Sequence, residues 1–231
     1  MVIQKMYDIV FIGYKEEEKE KNWQTLVSKF PTAKRVDGVR GLHQAHRVGA
    51  KMCWTKMFWI VDADAVILDN FDFSYVVKSY DEDIVHVWRC VNPINDLTYG
   101  YGGVKLFPRD LTLAVDVTRP DMTTSISSKF RSMPQVSNIT AFNTDPYNTW
   151  KSAFRECTKL SSKIIDRQDN EETEERLNIW CTAGIDKPFG KYAIAGAKAG
   201  REYGLKHRGD HVKLHMINNF EWLKEQFNGT V

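Results

Sequence analysis

Five consecutive apolar residues, Met57 to Val61, run straight into two carboxylates in the segment MFWIVDADAVIL (57–68). A strand with no polar position in such a run has no face to offer to water. It must be covered on both sides, as the inner strand of a helix-flanked sheet is. The order of elements before it agrees. YDIVFIGY (7–14) reads as a buried strand ending at Gly13. KEEEKEKNWQTLVSKF (15–30) follows with Trp23, Leu26, Val27 and Phe30 at helical spacing, closed by Pro31. AKRV (33–36) is a second short strand. Leu42, Ala45, Gly49, Met52 and Cys53 mark one face of a second helix, and His43, Arg47 and Lys51 mark another. Strand, helix, strand, helix, strand predicts an α/β fold, Rossmann-like, with a mostly parallel central sheet flanked by helices.

In open α/β sheets ligands bind beyond the carboxyl ends of the strands. Residues two apart in an extended segment point to the same side. Asp62 and Asp64 are therefore expected to face one cleft. Hard divalent ions such as Mg²⁺ or Mn²⁺ take oxygen ligands and are commonly held by one or two carboxylates plus substrate phosphates. The D-x-D pattern alone is generic, since a strand that simply turns at aspartate also produces it. The buried strand in front of it is what points to a ligand.

Beyond Asp64, IVHVWRCV (84–91) reads as a strand and YGYGGVKLF (99–107) as a glycine turn entering another. DPYNTWKSAFRECTKLSSKII (145–165) is the clearest helix of the second half, with Asp145 as N-cap and Pro146 as first helical residue. QDNEETEER (168–176) is an acidic helix start. Residues 187–213 are rich in Gly, Lys and Arg and read as a basic, glycine-rich flap. MINNFEWLKEQF (216–227) is a short amphipathic helix. With no repeat and no Pro/Ser-rich linker, the chain is expected to form a single domain, 1–231, read as two halves, 1–110 and 111–231. The four cysteines follow no zinc spacing and suit reduced core thiols. There is no 18-residue apolar run, and the start reads as a strand and not a signal peptide. No membrane anchor and a cytoplasmic location are expected.

The segment WIVDAD, after strand–helix–strand–helix, resembles the D-x-D motif of nucleotide-sugar glycosyltransferases with the GT-A fold. TYGYGGVKLF resembles the glycine-containing strand entry that follows that motif in many such enzymes. FNTDPYNTWKSAFREC, AGIDKPFGKYAIAGAKAGREYG and INNFEWL are similar to small glycosyltransferases of tailed bacteriophages. The resemblance implies a metal-dependent hexosyl- or pentosyltransferase that uses Mn²⁺ or Mg²⁺ and a nucleotide-sugar donor, most simply a UDP-sugar. By the same resemblance Asp64 ligates the metal, Asp62 touches the metal or the ribose, and Gly13 and Tyr14 lie under the nucleotide. Arg47 approaches the base or diphosphate, and Gly102 and Gly103 belong to the donor site. His215 is the candidate third metal ligand.

The chemistry asks for cations aimed at the leaving diphosphate and, if the anomeric centre inverts, a carboxylate that takes the acceptor proton. Asp145 is the first candidate for that base, with Glu156 and Asp186 behind it, although an Asp before Pro also caps a helix for purely structural reasons. Lys198, between the glycines of GAKAG, is the first candidate for phosphate contact.

For the acceptor, the net charge of +2 is too small to identify a nucleic-acid partner. The basic flap, with Lys129 and Arg131 in the loop-like SSKFRSMPQ (127–135), favours double-stranded DNA carrying hydroxymethylated cytosine, approached in the host cytoplasm. Trp88, Tyr99, Tyr101 and Tyr147 are candidate stacking residues. A polysaccharide or protein hydroxyl is the alternative acceptor. A nucleotidyltransferase is the rival enzyme, against which the acidic GYKEEEKEK after the first strand counts. A non-enzymatic DNA-binding protein is the rival from another class, and it leaves Asp62 and Asp64 without purpose.

Overall fold

The structure is a computed structural model that describes residues 6–165 and 169–230. Its contacts divide the chain into two compact units. The first holds the chain up to Val91 together with Thr98–Asp116 and Ile126–Thr140. The second holds Asn92–Leu97, Val117–Ser125 and everything from Ala141 on.

The first unit begins β1 (Asp8–Gly13), α1 (Lys19–Lys29), β2 (Lys34–Asp37), α2 (Leu42–Met52), β3 (Met57–Asp62), as the hydrophobic pattern requires. After a two-residue turn come β4 (Ala65–Ile67), β5 (Val85–Val91), β6 (Thr98–Tyr99) and β7 (Val104–Pro108). The short helix α3 (Arg109–Leu113) follows; α4 (Met122–Ile126) belongs to the second unit but for its last residue, and the first unit resumes with the long β8 (Phe130–Thr140). The sheet runs β2-β1-β3-β7-β5-β8-β4, with β6 on β5. β1 pairs in parallel with β2 and β3, and β5 with β8. The pairs β3–β7, β4–β8, β5–β6 and β5–β7 are antiparallel. The α/β class holds, but the sheet is mixed and not mostly parallel. The reason is local: the chain turns back at Asn92–Leu97, so that β6 and then β7 return antiparallel to β5, with the glycine segment 100–103 only an offset between them.

Connectivity also shows that the sheet curls. β3 and β4 are joined by Ala63 and Asp64 alone, yet four strand spacings separate them along the sheet path. Those spacings add to roughly 19 Å, and so short a link reaches about 11 Å at most. The D-x-D turn therefore lies at a corner where the chain leaves one stretch of sheet for another. Beneath it sits the core. Trp59 and Trp88 approach to 4.5 Å between ring centroids, with Phe71 and Phe73 edge-on to Trp59. The expected stacking residues Trp88 and Tyr99 are thus core residues, buried against the sheet. SSKFRSMPQ is not a loop: Phe130 opens β8, and Lys129 and Arg131 are neutralised by Asp83 and Asp81 at 2.5 and 2.7 Å.

The second unit is helical: α5 (Pro146–Ser162), α6 (Asn170–Thr182), α7 (Gly190–Lys206), α8 (His211–His215) and α9 (Phe220–Thr230). The supposed basic flap is largely α7. Its Gly196 and Gly200 lie against the backbone of α5: a Cβ on either would come within 2.3 Å of the Trp150 carbonyl or 2.2 Å of the Phe154 carbonyl. Gly204 meets Thr158 and Ser161 in the same way. Spaced by four, these glycines form a stripe that lets two helices pack backbone to backbone, so they serve packing and not a phosphate loop. His207 caps the end of α7, whereas His211 and His215 begin and end α8, so Gly209 (φ +83°) keeps the three from forming one helical row. All four cysteines are buried and free.

Candidate functional site

The carboxyl ends of three parallel strands meet in register: Gly13 pairs with Asp37, and Ile12 with Asp62. The ladder continues past β3, where Ala63 N–H donates to the Ile12 carbonyl at 2.9 Å. Asn22 of α1, itself buried, donates its side-chain N–H to the Ala63 carbonyl at 2.8 Å. The D-x-D turn is thus pinned from the sheet and from the first helix. Asp62 ends the strand, whereas Asp64 stands in the turn, so the alternation of an extended chain does not apply to the pair.

Asp62 is held closely. Its N–H donates to the Gly103 carbonyl at 2.9 Å, and its Oδ2 accepts from Gly103 N–H at 3.1 Å and from Lys105 Nζ at 2.9 Å. Both side-chain bonds fall on Oδ2, which leaves Oδ1 with capacity to spare. Gly103 has φ +84°, and a Cβ there would lie 2.2 Å from Asn138 Oδ1. Only glycine fits that place. Gly102 has ordinary room, its nearest neighbour being Thr140.

Lys105 was not singled out in the sequence. In β7 it lies opposite Ile60, and its side chain is only 12 % exposed. Burial pushes the Lys105 ammonium toward neutrality, but the charge and hydrogen bond of Asp62 outweigh it, with smaller pulls from Cys90 and Asp64, and raise its pKa. Burial raises the Asp62 carboxyl. Lys105, His46 and the Gly103 N–H outweigh that and hold it below the usual carboxylate range. The two shifts agree: the pair is ionic. His46 of α2 is the other residue the sequence did not mark. Burial drives its imidazole down to about 4, with Asp62 pulling the other way. Its Nδ1–H donates to the Leu42 carbonyl at 2.8 Å, which fixes the tautomer.

Around this centre, Gly13 packs close to Asp37 and Ala63. Tyr14 is half-buried; its N–H donates to Glu16 and its carbonyl accepts from Lys19 Nζ. Lys19 also bonds Asp37 at 2.8 Å, and Arg35 reaches the other Asp37 oxygen at 2.9 Å. Arg47, next to His46, has its Nε buried with no hydrogen-bond partner among the described residues. A buried guanidinium nitrogen left unpaired is costly unless water or a ligand completes it, and Arg35 Nε is buried in the same way.

Asp145, Lys198 and His215 belong to the second unit. Asp145 caps α5 as its sequence predicts, accepting from Asn148 N–H at 2.8 Å and from the Asn148 side chain. Lys198 projects from α7 as an exposed side chain. His215 ends α8. Of the fallback bases, Glu156 is buried and paired with Lys159 at 2.9 Å, and Asp186 is exposed.

Among the described residues no three His, Cys, Asp or Glu side chains cluster as a metal cage. The oxygen donors present still fit a hard cation shared with a substrate: Asp64 in the turn, Asp62 Oδ1, and phosphate oxygens for the remainder. No helix among the described residues is long and apolar enough to cross a membrane. The chain matches no family model, and no curated protein matches it.

Proposed function

We propose that the chain is a GT-A-type glycosyltransferase that uses a nucleotide diphosphate sugar, most simply a UDP-sugar, together with Mn²⁺ or Mg²⁺. The observation that carries the reading is the pinned D-x-D turn at the carboxyl ends of β1, β2 and β3, with one carboxylate oxygen of Asp62 left for a ligand. A bound divalent cation supplies Lewis-acid stabilisation of the departing diphosphate. The chain's own residues do the rest. Asp62 and Asp64 would hold the cation, and oxygens of the donor's diphosphate would fill its remaining positions. Gly13 and Tyr14 border the nucleoside. Arg47 offers its unpartnered guanidinium nitrogen to an anionic oxygen. The pinned turn gives this charge arrangement before substrate arrives, so little reorganisation is needed during reaction.

Asp145 is the proposed base for an inverting transfer. A carboxylate has roughly four acceptor sites, and its capping bonds leave room for an acceptor hydroxyl. The proposed acceptor is the hydroxyl of hydroxymethylated cytosine in DNA. With Lys129 and Arg131 paired in the first unit and α7 packed through its glycines, less free positive charge supports that choice than the sequence suggested. A polysaccharide or protein hydroxyl is the second acceptor class.

The test is incubation with a panel of nucleotide sugars, with and without hydroxymethylated DNA, reading release of the nucleoside diphosphate. The reading predicts release that needs Mn²⁺ or Mg²⁺ and is abolished by Asp64→Asn. Release from no donor in the panel, or release indifferent to Asp64, contradicts it. A nucleotidyltransferase would instead release pyrophosphate from a nucleoside triphosphate.

A further inference from the structure

We infer that Lys105 is a built-in counter-cation of the D-x-D pair, which makes the site select a cation–diphosphate complex over the bare cation. This inference rests on the glycosyltransferase reading and adds a positioning residue to it. The Lys105 ammonium sits 2.9 Å from Asp62 Oδ2, with its side chain 12 % exposed. It is also within electrostatic reach of Asp64. β7 fixes its stem in the antiparallel ladder with β3, and Gly103 N–H shares the same Asp62 oxygen, so the ammonium has a defined seat.

A bare divalent ion approaching two carboxylates would meet a net charge of about −2 if Lys105 were absent. With the ammonium in place the balance is about −1, and like-charge repulsion acts at short range in a poorly solvated corner. A diphosphate reverses the balance. Its oxygens bring negative charge for both the ion and the ammonium, and Lys105, a compact donor of three N–H bonds, keeps one for Asp62 while turning another to phosphate. Ion and nucleotide therefore bind as a coupled pair, and by linkage each raises the affinity of the other by the same factor.

The experiment is isothermal titration of the full chain with Mn²⁺ alone, with UDP in the presence of a chelator, and with UDP at saturating Mn²⁺. Wild type, Lys105→Met, Lys105→Gln and Lys105→Arg are compared, and folding is checked by circular dichroism. Wild type is expected to bind Mn²⁺ alone at least tenfold more weakly than in the presence of UDP. Lys105→Met is expected to bind Mn²⁺ alone at least tenfold more tightly than wild type and to bind UDP without metal at least fivefold more weakly. Lys105→Gln keeps a hydrogen bond to Asp62 without the charge and should behave as Lys105→Met does, which covers the case in which the methionine variant does not fold. Lys105→Arg should resemble wild type. Unchanged Mn²⁺ affinity in the folded neutral variants overturns the role of Lys105 while leaving the UDP–Mn²⁺ site standing. Failure of wild type to bind UDP with or without Mn²⁺ overturns the glycosyltransferase reading and this inference with it.

Discussion

Asp62 and Gly103 hold each other twice: Asp62 N–H bonds the Gly103 carbonyl at 2.9 Å, and Gly103 N–H bonds Asp62 Oδ2 at 3.1 Å. The residue that presents the proposed ligand oxygen is thus fixed by a glycine at φ +84° whose missing side chain leaves room for Asn138. Gly103→Ala is expected to destabilise the protein by roughly 2–4 kcal/mol, from the unfavourable φ and the clash together. In an Asn138→Ala background, itself destabilised by loss of buried hydrogen bonds to Ser137 and Thr140, Gly103→Ala should cost only the backbone part. Thermal melts of the single and double variants check this, and a Gly103→Ala protein as stable as wild type refutes it.

The buried imidazole of His46 makes stability depend on pH. Its pKa is about 4 in the folded chain and near 6.5 when unfolded. Between those values the unfolded chain binds a proton that the folded chain refuses. The stabilisation is therefore complete above about pH 6.5 and is lost as the pH falls toward 4. The full shift corresponds to at most about 3 kcal/mol. His46→Asn keeps an N–H for the Leu42 carbonyl but cannot titrate, so its melting temperature should fall less steeply over that range. Parallel profiles for the two proteins would exclude His46 as the source.

Helix propensity and packing make opposite predictions at Gly200. Alanine is favoured over glycine inside a helix by about 1 kcal/mol. A Cβ there, however, would lie 2.2 Å from the Phe154 carbonyl of α5. Backbone cannot yield as a flexible side chain can, so Gly200→Ala should destabilise by about 2–4 kcal/mol. A denaturant titration distinguishes the outcomes by sign, since a phosphate-binding loop at this position would tolerate the substitution.

Asp145 serves as a cap whatever else it does. Asparagine caps as well as aspartate, so Asp145→Asn should leave the melting temperature nearly unchanged, while Asp145→Ala should lose about 1 kcal/mol. If Asp145 takes the acceptor proton, Asp145→Asn lowers turnover by about 10²–10⁴-fold. An asparagine variant with full turnover and unaltered stability would reduce Asp145 to its capping role.

Much of the first unit could be read from the chain, because α1 and α2 keep helical apolar spacing and β1 and β3 are short apolar runs, while β2, with Val36 its one buried residue, is placed by standing between the two helices. The mixed sheet could not: β7 runs antiparallel because the chain already turns back at Asn92–Leu97, and its pairing with β3 joins strands far apart in sequence. Lys105 was hidden for the same reason. In VKLF it looks like one polar residue of a half-exposed strand, and only its place opposite Ile60 brings it to Asp62. His46 carries no sign in the sequence because it falls on the apolar face of α2 with Ala45 and Gly49, where a histidine reads as a core residue. The reading of 187–213 as a flap failed because glycine has two uses, loop freedom and close approach. The spacing of Gly196, Gly200 and Gly204 was the available sign that the second applied. In the D-x-D turn, position was legible but direction was not, since the strand stops between the two aspartates.

The central claim is that Asp62 and Asp64 hold a divalent cation jointly with a nucleotide diphosphate. Its most direct test is the melting temperature with Mn²⁺, with UDP, and with both, for wild type and Asp64→Asn. The account predicts that the pair raises the wild-type midpoint by roughly 5–10 °C at saturation, well beyond the sum of the separate shifts, and that Asp64→Asn loses the excess. Additive shifts in wild type, or an Asp64→Asn protein that keeps the full synergy, would contradict it.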